Sequence, residues 1–263
     1  MKSRILGTTL PVLEIFLEQN DKLISKSGQF SWMSPDVQLQ TNARTGGANG
    51  LFGVLGRAWA GGGLFMNEYS TEGGKGLVAF AAKVPGSINK VKLDHGSSYM
   101  VHRSGYLCST AGVDLSIAFQ KSLGAGIFGG DGFILEKISG SGTAWVELGG
   151  EVVTYDLAPG EAMHVHPGHV GMFEGSVKFS ITMMRGLKNA IFGGDGIFIA
   201  RLTGPGKIWL QSTTMPNLAH ALLPYLAVEA TPTVAGSIVG GSLEGVGKVA
   251  GAVVGNVIDS IFE

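Results

Sequence analysis

Ile127-Phe128-Gly129-Gly130-Asp131-Gly132 returns unchanged 64 residues later as Ile191-Phe192-Gly193-Gly194-Asp195-Gly196. The correspondence outlasts the hexapeptide. Residues 127–148 read IFGGDGFILEKISGSGTAWVEL and residues 191–212 read IFGGDGIFIARLTGPGKIWLQS, with nine of 22 positions identical and most others exchanged like for like. An internal repeat comes before any assignment of elements, because it makes the fold a property of one unit. After the glycines, Phe133, Leu135 and Lys137 alternate with Ile134, Glu136 and Ile138, which suits a strand. Ser139-Gly140-Ser141-Gly142 and Thr203-Gly204-Pro205-Gly206 are turn chemistry, since glycine adopts positive φ and proline presets φ. A second strand follows each turn, with Trp145 and Trp209 at matched positions. The unit is therefore expected to be a β-hairpin behind a Gly-rich corner.

The same offset extends upstream. Leu93…Gly96 aligns with Leu157…Gly160, Val101-His102 with Val165-His166, and Val113…Ile117 with Val177…Ile181. A fainter copy precedes these: Gly28 and Val37…Thr41 match Gly168 and Val177…Ile181 at an offset of 140, with an insertion around Gly53–Ala60. The chain reads as an all-β domain over residues 1–214, built of three tandem modules at about 10–91, 92–154 and 155–213, followed by a tail at 215–263.

Charged residues make up only 15% of the chain, against roughly 25% in an average soluble domain. Gly is 43 of 263 residues, about twice the usual ~7%, which suits tightly turned sheets and surfaces that associate. A net charge of −1 with no basic run speaks against nucleic acid as a partner. Cys108 is the only cysteine, so no internal disulfide is available and a reducing compartment is acceptable. The first residues lack an unbroken apolar core and a small-x-small cleavage site, so a cytoplasmic location is expected, peripheral to the inner face of a membrane if the tail is a membrane device.

The tail begins with a helical stretch at Pro216–Leu223, with Pro216 in the first turn. Beyond it, glycines recur four apart at Gly236/Gly240 and Gly247/Gly251/Gly255, placing small residues along one stripe where another helix can approach. Three readings stand: membrane contact, packing on other copies or a partner protein, and a low-complexity end. The longest uncharged run, Val249–Ile258, falls short of the ~20 residues that span a bilayer.

Residues that could carry chemistry are few. Gly124-Ala-Gly126-Ile-Phe-Gly129 matches GxGxxG in form, but a strand and not a helix is expected to follow, and no dinucleotide or other cofactor is expected. His164-Val-His166-Pro-Gly-His169 is the one histidine cluster. His164 and His166 would share one face of a strand, as a metal site wants, with Glu174 beyond. Cupin-type barrels hold metal with Gly-x5-His-x-His-x3,4-Glu. Here three residues separate Gly160 from His164, and seven separate His166 from Glu174. Surface or turn histidines are the plainer reading of the cluster.

Tandem Phe192–Ser212-type segments, preceded by Pro159-Gly160 and Pro167-Gly168-His169 and opened by Asp21-Lys22-Leu23-Ile24…Gly28, resemble the altered-inheritance-of-mitochondria twenty-four family over roughly residues 10–215. The resemblance implies a β-sandwich fold similar to the tryptophan RNA-binding attenuator protein, with three repeats in pseudo-threefold arrangement. It brings no catalytic residues, and it associates mitochondrial members with inner-membrane organisation. The expectation is a non-enzymatic scaffold that associates with itself, a partner protein or a membrane surface through its tail. The alternative is a cupin-like metal-binding protein or metal-dependent enzyme using His164, His166 and His169.

Overall fold

The computed structural model describes residues 1–42, 66–121, 132–183 and 198–222. The glycine-rich connections at 122–131 and 184–197, the insertion around Gly53–Ala60, and Gly236, Gly240, Gly247, Gly251 and Gly255 lie outside the described residues.

A leading strand, β1 (Lys2–Leu6), is followed by three sets of six. The first set is β2 (Val12–Glu18), β3 (Leu23–Lys26), β4 (Trp32–Met33), β5 (Val37–Asn42), β6 (Met66–Thr71) and β7 (Lys75–Ala81). The second is β8 (Gly86–Leu93), β9 (Ser98–His102), β10 (Tyr106–Thr110), β11 (Val113–Lys121), β12 (Phe133–Gly140) and β13 (Gly142–Gly149). The third is β14 (Val152–Leu157), β15 (Ala162–Val165), β16 (Val170–Glu174), β17 (Lys178–Met183), β18 (Phe198–Thr203) and β19 (Gly206–Gln211). One helix, α1 (Met215–Leu222), follows; the Thr214 hydroxyl accepts the Asn217 N–H and caps it.

Each set is paired alike: first strand with sixth, third with sixth, fourth with fifth, and second with fifth, all antiparallel. Four sheets result. Sheet I is β1-β2-β7-β4, sheet II is β5-β6-β3-β10-β13-β8, sheet III is β11-β12-β9-β16-β19-β14, and sheet IV is β15-β18-β17.

Three apolar cores lie between successive sheets. Leu13, Ile15 and Phe80 of sheet I meet Leu107 and Trp145 of sheet II. Val91, Val146 and Leu148 of sheet II meet Val101, Ile138 and Met172 of sheet III. Phe133, Phe173 and Ile208 of sheet III meet Ile181, Ala200 and Leu202 of sheet IV. Sheets II and III are thus covered on both faces, which is why β13 reads as a near-continuous apolar run. Each such side chain taken fully out of water contributes roughly 1.5–3 kcal/mol.

The expected hairpin is not what forms. β12 belongs to sheet III and β13 to sheet II, and β18 and β19 are likewise split between sheets IV and III. Gly140 has φ +102° and Gly142 φ +145°, so the chain turns out of one sheet and into the facing one. The physical reason is burial on both faces. The arch sets β12 and β13 face to face across one core, where Ile138 meets Val146, and leaves Phe133 and Trp145 to fill the cores on their outer faces.

Gly140 does two things at once. Its φ is in the left-handed region, and a Cβ there would sit 2.4 Å from the Gly112 carbonyl oxygen. Gly96, in the turn closed by the Ser97 N–H on the Asp94 carbonyl at 2.9 Å, has φ +92° with nothing within 4 Å. Gly96→Ala should therefore cost about 1 kcal/mol, from backbone strain alone. Gly140→Ala should cost more, because a close backbone contact must also give way. Equal denaturant midpoints for the two variants would sink this account of the arch.

Candidate functional site

Strand β15 ends at Val165, because Pro167 removes a donor and opens a 3-10 turn over Pro167–His169. His166 accordingly lies one residue beyond the strand, still in extended backbone, and both it and His164 are exposed on either side of buried Val165. His164 is exposed, opposite Arg201 on β18. The Nδ1 of His166 accepts the Gly168 N–H at 3.3 Å and so caps the turn. Burial, then neighbouring His169, lowers its pKa. His169 donates from Nδ1 to the Gln211 carbonyl at 2.8 Å, clamping the turn onto β19. Glu174 accepts the Lys207 N–H at 2.9 Å. The rings of His166 and His169 lie 5.7 Å apart. Among the described residues, no group of three or more His, Cys, Asp or Glu side chains is placed to hold a metal ion.

The equivalent of His166 in the preceding set is His102, half-buried, with Nδ1 3.1 Å from the Ser104 hydroxyl and its ring 6.0 Å from that of Phe133. Its pKa falls to about 4, first from burial, then from Lys26 and Arg103. Lys26 is the equivalent residue of the first set. Its Nζ reaches from β3 in sheet II to Glu136 Oε2 on β12 in sheet III at 2.5 Å, and donates to the Arg103 carbonyl at 2.7 Å. The two side chains are 13% and 4% exposed. Burial lowers the Lys26 pKa and raises that of Glu136, each opposed by the partner's charge. Desolvation of both groups thus offsets much of their attraction.

This pair flanks the contact that joins one set of strands to the next. In sheet II, β10 pairs with β3 through Cys108↔Ser25, Ser109↔Ile24 and Thr110↔Leu23. In sheet III, β16 pairs with β9 through Met172↔Val101, Phe173↔Met100 and Glu174↔Tyr99. The two contacts share a register, and each third strand carries its bulge at the same place, between Tyr106 and Cys108 and between Val170 and Met172. The polar lining differs. At the first contact the Tyr106 hydroxyl meets Ser109 Oγ at 2.8 Å, and Ser25 Oγ meets the Tyr69 hydroxyl at 3.2 Å. At the second, two of the three pairs are apolar and the third sets Glu174 opposite Tyr99.

A closed threefold arrangement would need a third such contact, between β15 and β4. Among the described residues each of these strands instead ends its sheet. Neither the ion pair nor this edge was visible in local patterning. The offset of 140 does place Trp32 on Met172, which marks β4 as a joining strand. Between sheets III and IV lies an apolar cavity of about 200 Å³, lined by Met100, Phe119, Phe173 and Phe179 among others.

These features define an all-β protein of stacked antiparallel sheets in which one strand-to-strand contact is reused. The chain belongs to the family described as Mitochondrial biogenesis AIM24, which it matches over residues 3–213. It is 26% identical over 219 residues to an uncharacterized protein of Streptococcus pyogenes serotype M6, covering 82% of this chain and 87% of that protein. It is also similar to the X-ray crystal structure of a Streptococcus pyogenes protein, with TM-score 0.68 and 24% identity, over 86% of this chain and 99% of that one.

Removing one partner of the buried pair leaves the other charged and unpaired. Lys26→Met alone and Glu136→Leu alone should each cost about 3–5 kcal/mol, and the double variant much less than their sum. Additive losses in urea unfolding would contradict this. His102 gives a separate pH signature. Its folded pKa of about 4 lies below the ordinary 6.5, so the unfolded chain binds more protons in that window and stability falls as pH drops through it. His102→Gln should flatten that slope; an unchanged slope would assign it to other groups.

Proposed function

We propose that this chain is a non-enzymatic scaffold that acts by assembling with copies of itself, with its glycine-spaced tail as a second contact for a membrane surface or for neighbouring tails. One observation carries the reading. The strand contact that joins the chain's own modules is used twice with one register and one polarity, and among the described residues a joining strand ends the sheet at either end of the stack. Serial arrays of this kind are kept single by polar caps on their terminal units. Here the end strand β4 carries Trp32 at 45% exposure, with Phe30 beside it at 38%.

Several chemistry-bearing side chains support the same reading, because they are spent on the backbone. Glu147 accepts the N–H groups of Lys83 and Val84 at 2.7 and 3.3 Å, Glu174 accepts that of Lys207, and His166 and His169 hold one turn. No helix among the described residues is long and apolar enough to cross a membrane.

The test is light scattering together with liposome flotation, on the full chain and on a chain stopped after Leu222. The expected result for both is a mass of two or more times that of the single chain, which is 27.3 kDa for the full chain. Flotation of the full chain alone would assign the tail to membrane contact, and dissociation of the shortened chain would assign it to packing. A monomer that does not float, in both forms, would overturn the scaffold reading.

A further inference from the structure

We infer that β15 of one copy adds antiparallel to β4 of the next, so that chains join head to tail through the same contact that joins their modules. This rests on the self-association proposed above and names its surface.

The repeat supplies the register. Cys108, Met172 and Trp32 are equivalent, as are Ser25, Val101 and Val165. The contact between copies therefore sets Trp32 opposite Val165, Met33 opposite His164, and Ser34 opposite Met163. Sheet order gives the same answer. Sheets II and III run fourth-fifth-second-third-sixth-first through the strands of two successive sets. Sheet IV (β17-β18-β15) followed by another copy's β4-β7-β2 completes a third sheet in that order.

Exposure points to what is missing. Tyr106 and Cys108, and Val170 and Met172, are 1%, 0%, 0% and 1% exposed beside their joining strands, whereas the equivalent Phe30 and Trp32 are 38% and 45% exposed. Phe30 stacks on Tyr69 with ring centroids 6.2 Å apart, which leaves Trp32 as the exposed aromatic of this edge strand. Neither edge is defended by charge: residues 30–34 are Phe-Ser-Trp-Met-Ser and residues 162–165 are Ala-Met-His-Val, whereas the edge strands β1 and β8 carry Lys2, Arg4, Lys90 and Lys92. Pairing strands of opposite kind gives a heterologous contact, which propagates to a ring or a filament and does not stop at a twofold dimer.

The experiment is disulfide trapping of the full chain under mild oxidation. Cys108, the one native cysteine, is fully buried and serves as the silent background. Met33→Cys and His164→Cys chains, mixed, should give a linked species of doubled mass that neither gives alone. The double variant should give a ladder of multiples whose yield falls on tenfold dilution. A double variant that links only within its own chain, independent of dilution, would overturn the inference in favour of closure inside one molecule. No linkage from chains that light scattering still finds associated would overturn the edge contact and leave the scaffold reading standing. No linkage from a monomer would remove both. Trp32→Lys, at an exposed position, is the second variant. It should keep the parent unfolding midpoint and lose association at least tenfold, and unaltered association would count against β4.

Discussion

An antiparallel contact only three residue pairs long, between the second strand of one module and the third strand of the next, is the constraint on which the rest of the structure depends. It fuses two three-stranded half-sheets into one six-stranded sheet, and that sheet then serves two cores. Without it, Val146 and Trp145, successive residues on β13, could not both be buried, since each faces a different neighbour sheet. The contact also fixes register. Slipping a strand by one residue would exchange its two faces, and here both faces are already committed.

The two copies of this contact reach that register by different chemistry. Between β3 and β10 it is marked by hydroxyls and by the Lys26–Glu136 pair, and the Tyr106 hydroxyl also donates to the Ile24 carbonyl at 3.2 Å. Between β9 and β16 it is marked by shape, with Val101, Met100, Met172 and Phe173 in contact across the strands. A buried ion pair adds little net stability once its desolvation is counted. Its worth here lies in direction: a lysine anchored to Glu136 and to the Arg103 carbonyl at once tolerates one alignment of the two sheets.

Much of this architecture was legible in the sequence. The 64-residue offset aligned every strand of the second set with one of the third, and Gly28, Gly96 and Gly160, which the offsets matched between modules, have positive φ. The turn at Gly140-Ser141-Gly142 was legible as a turn and misleading as a hairpin. Glycine permits the reversal but does not say whether the chain returns to its own sheet or crosses to the facing one, and burial on both faces decides that. What the histidine spacing did not announce is the second task of His166, which caps the turn that Pro167 opens after the strand. Lys26 and Glu136 lie 110 residues apart, and nothing in their neighbourhoods announces the other.

Placing the three modules in one polypeptide has a consequence for what each junction is allowed to contain. In a ring of identical separate subunits, any residue at a junction appears at all of them, so a lysine chosen for one partner would be imposed on every other. Here Lys26, His102 and His166 hold the same place in their modules, and only the first is a lysine, paired with Glu136. Covalent linkage thus frees each junction to diverge, so that one carries a buried ion pair while the other is lined mainly by apolar side chains.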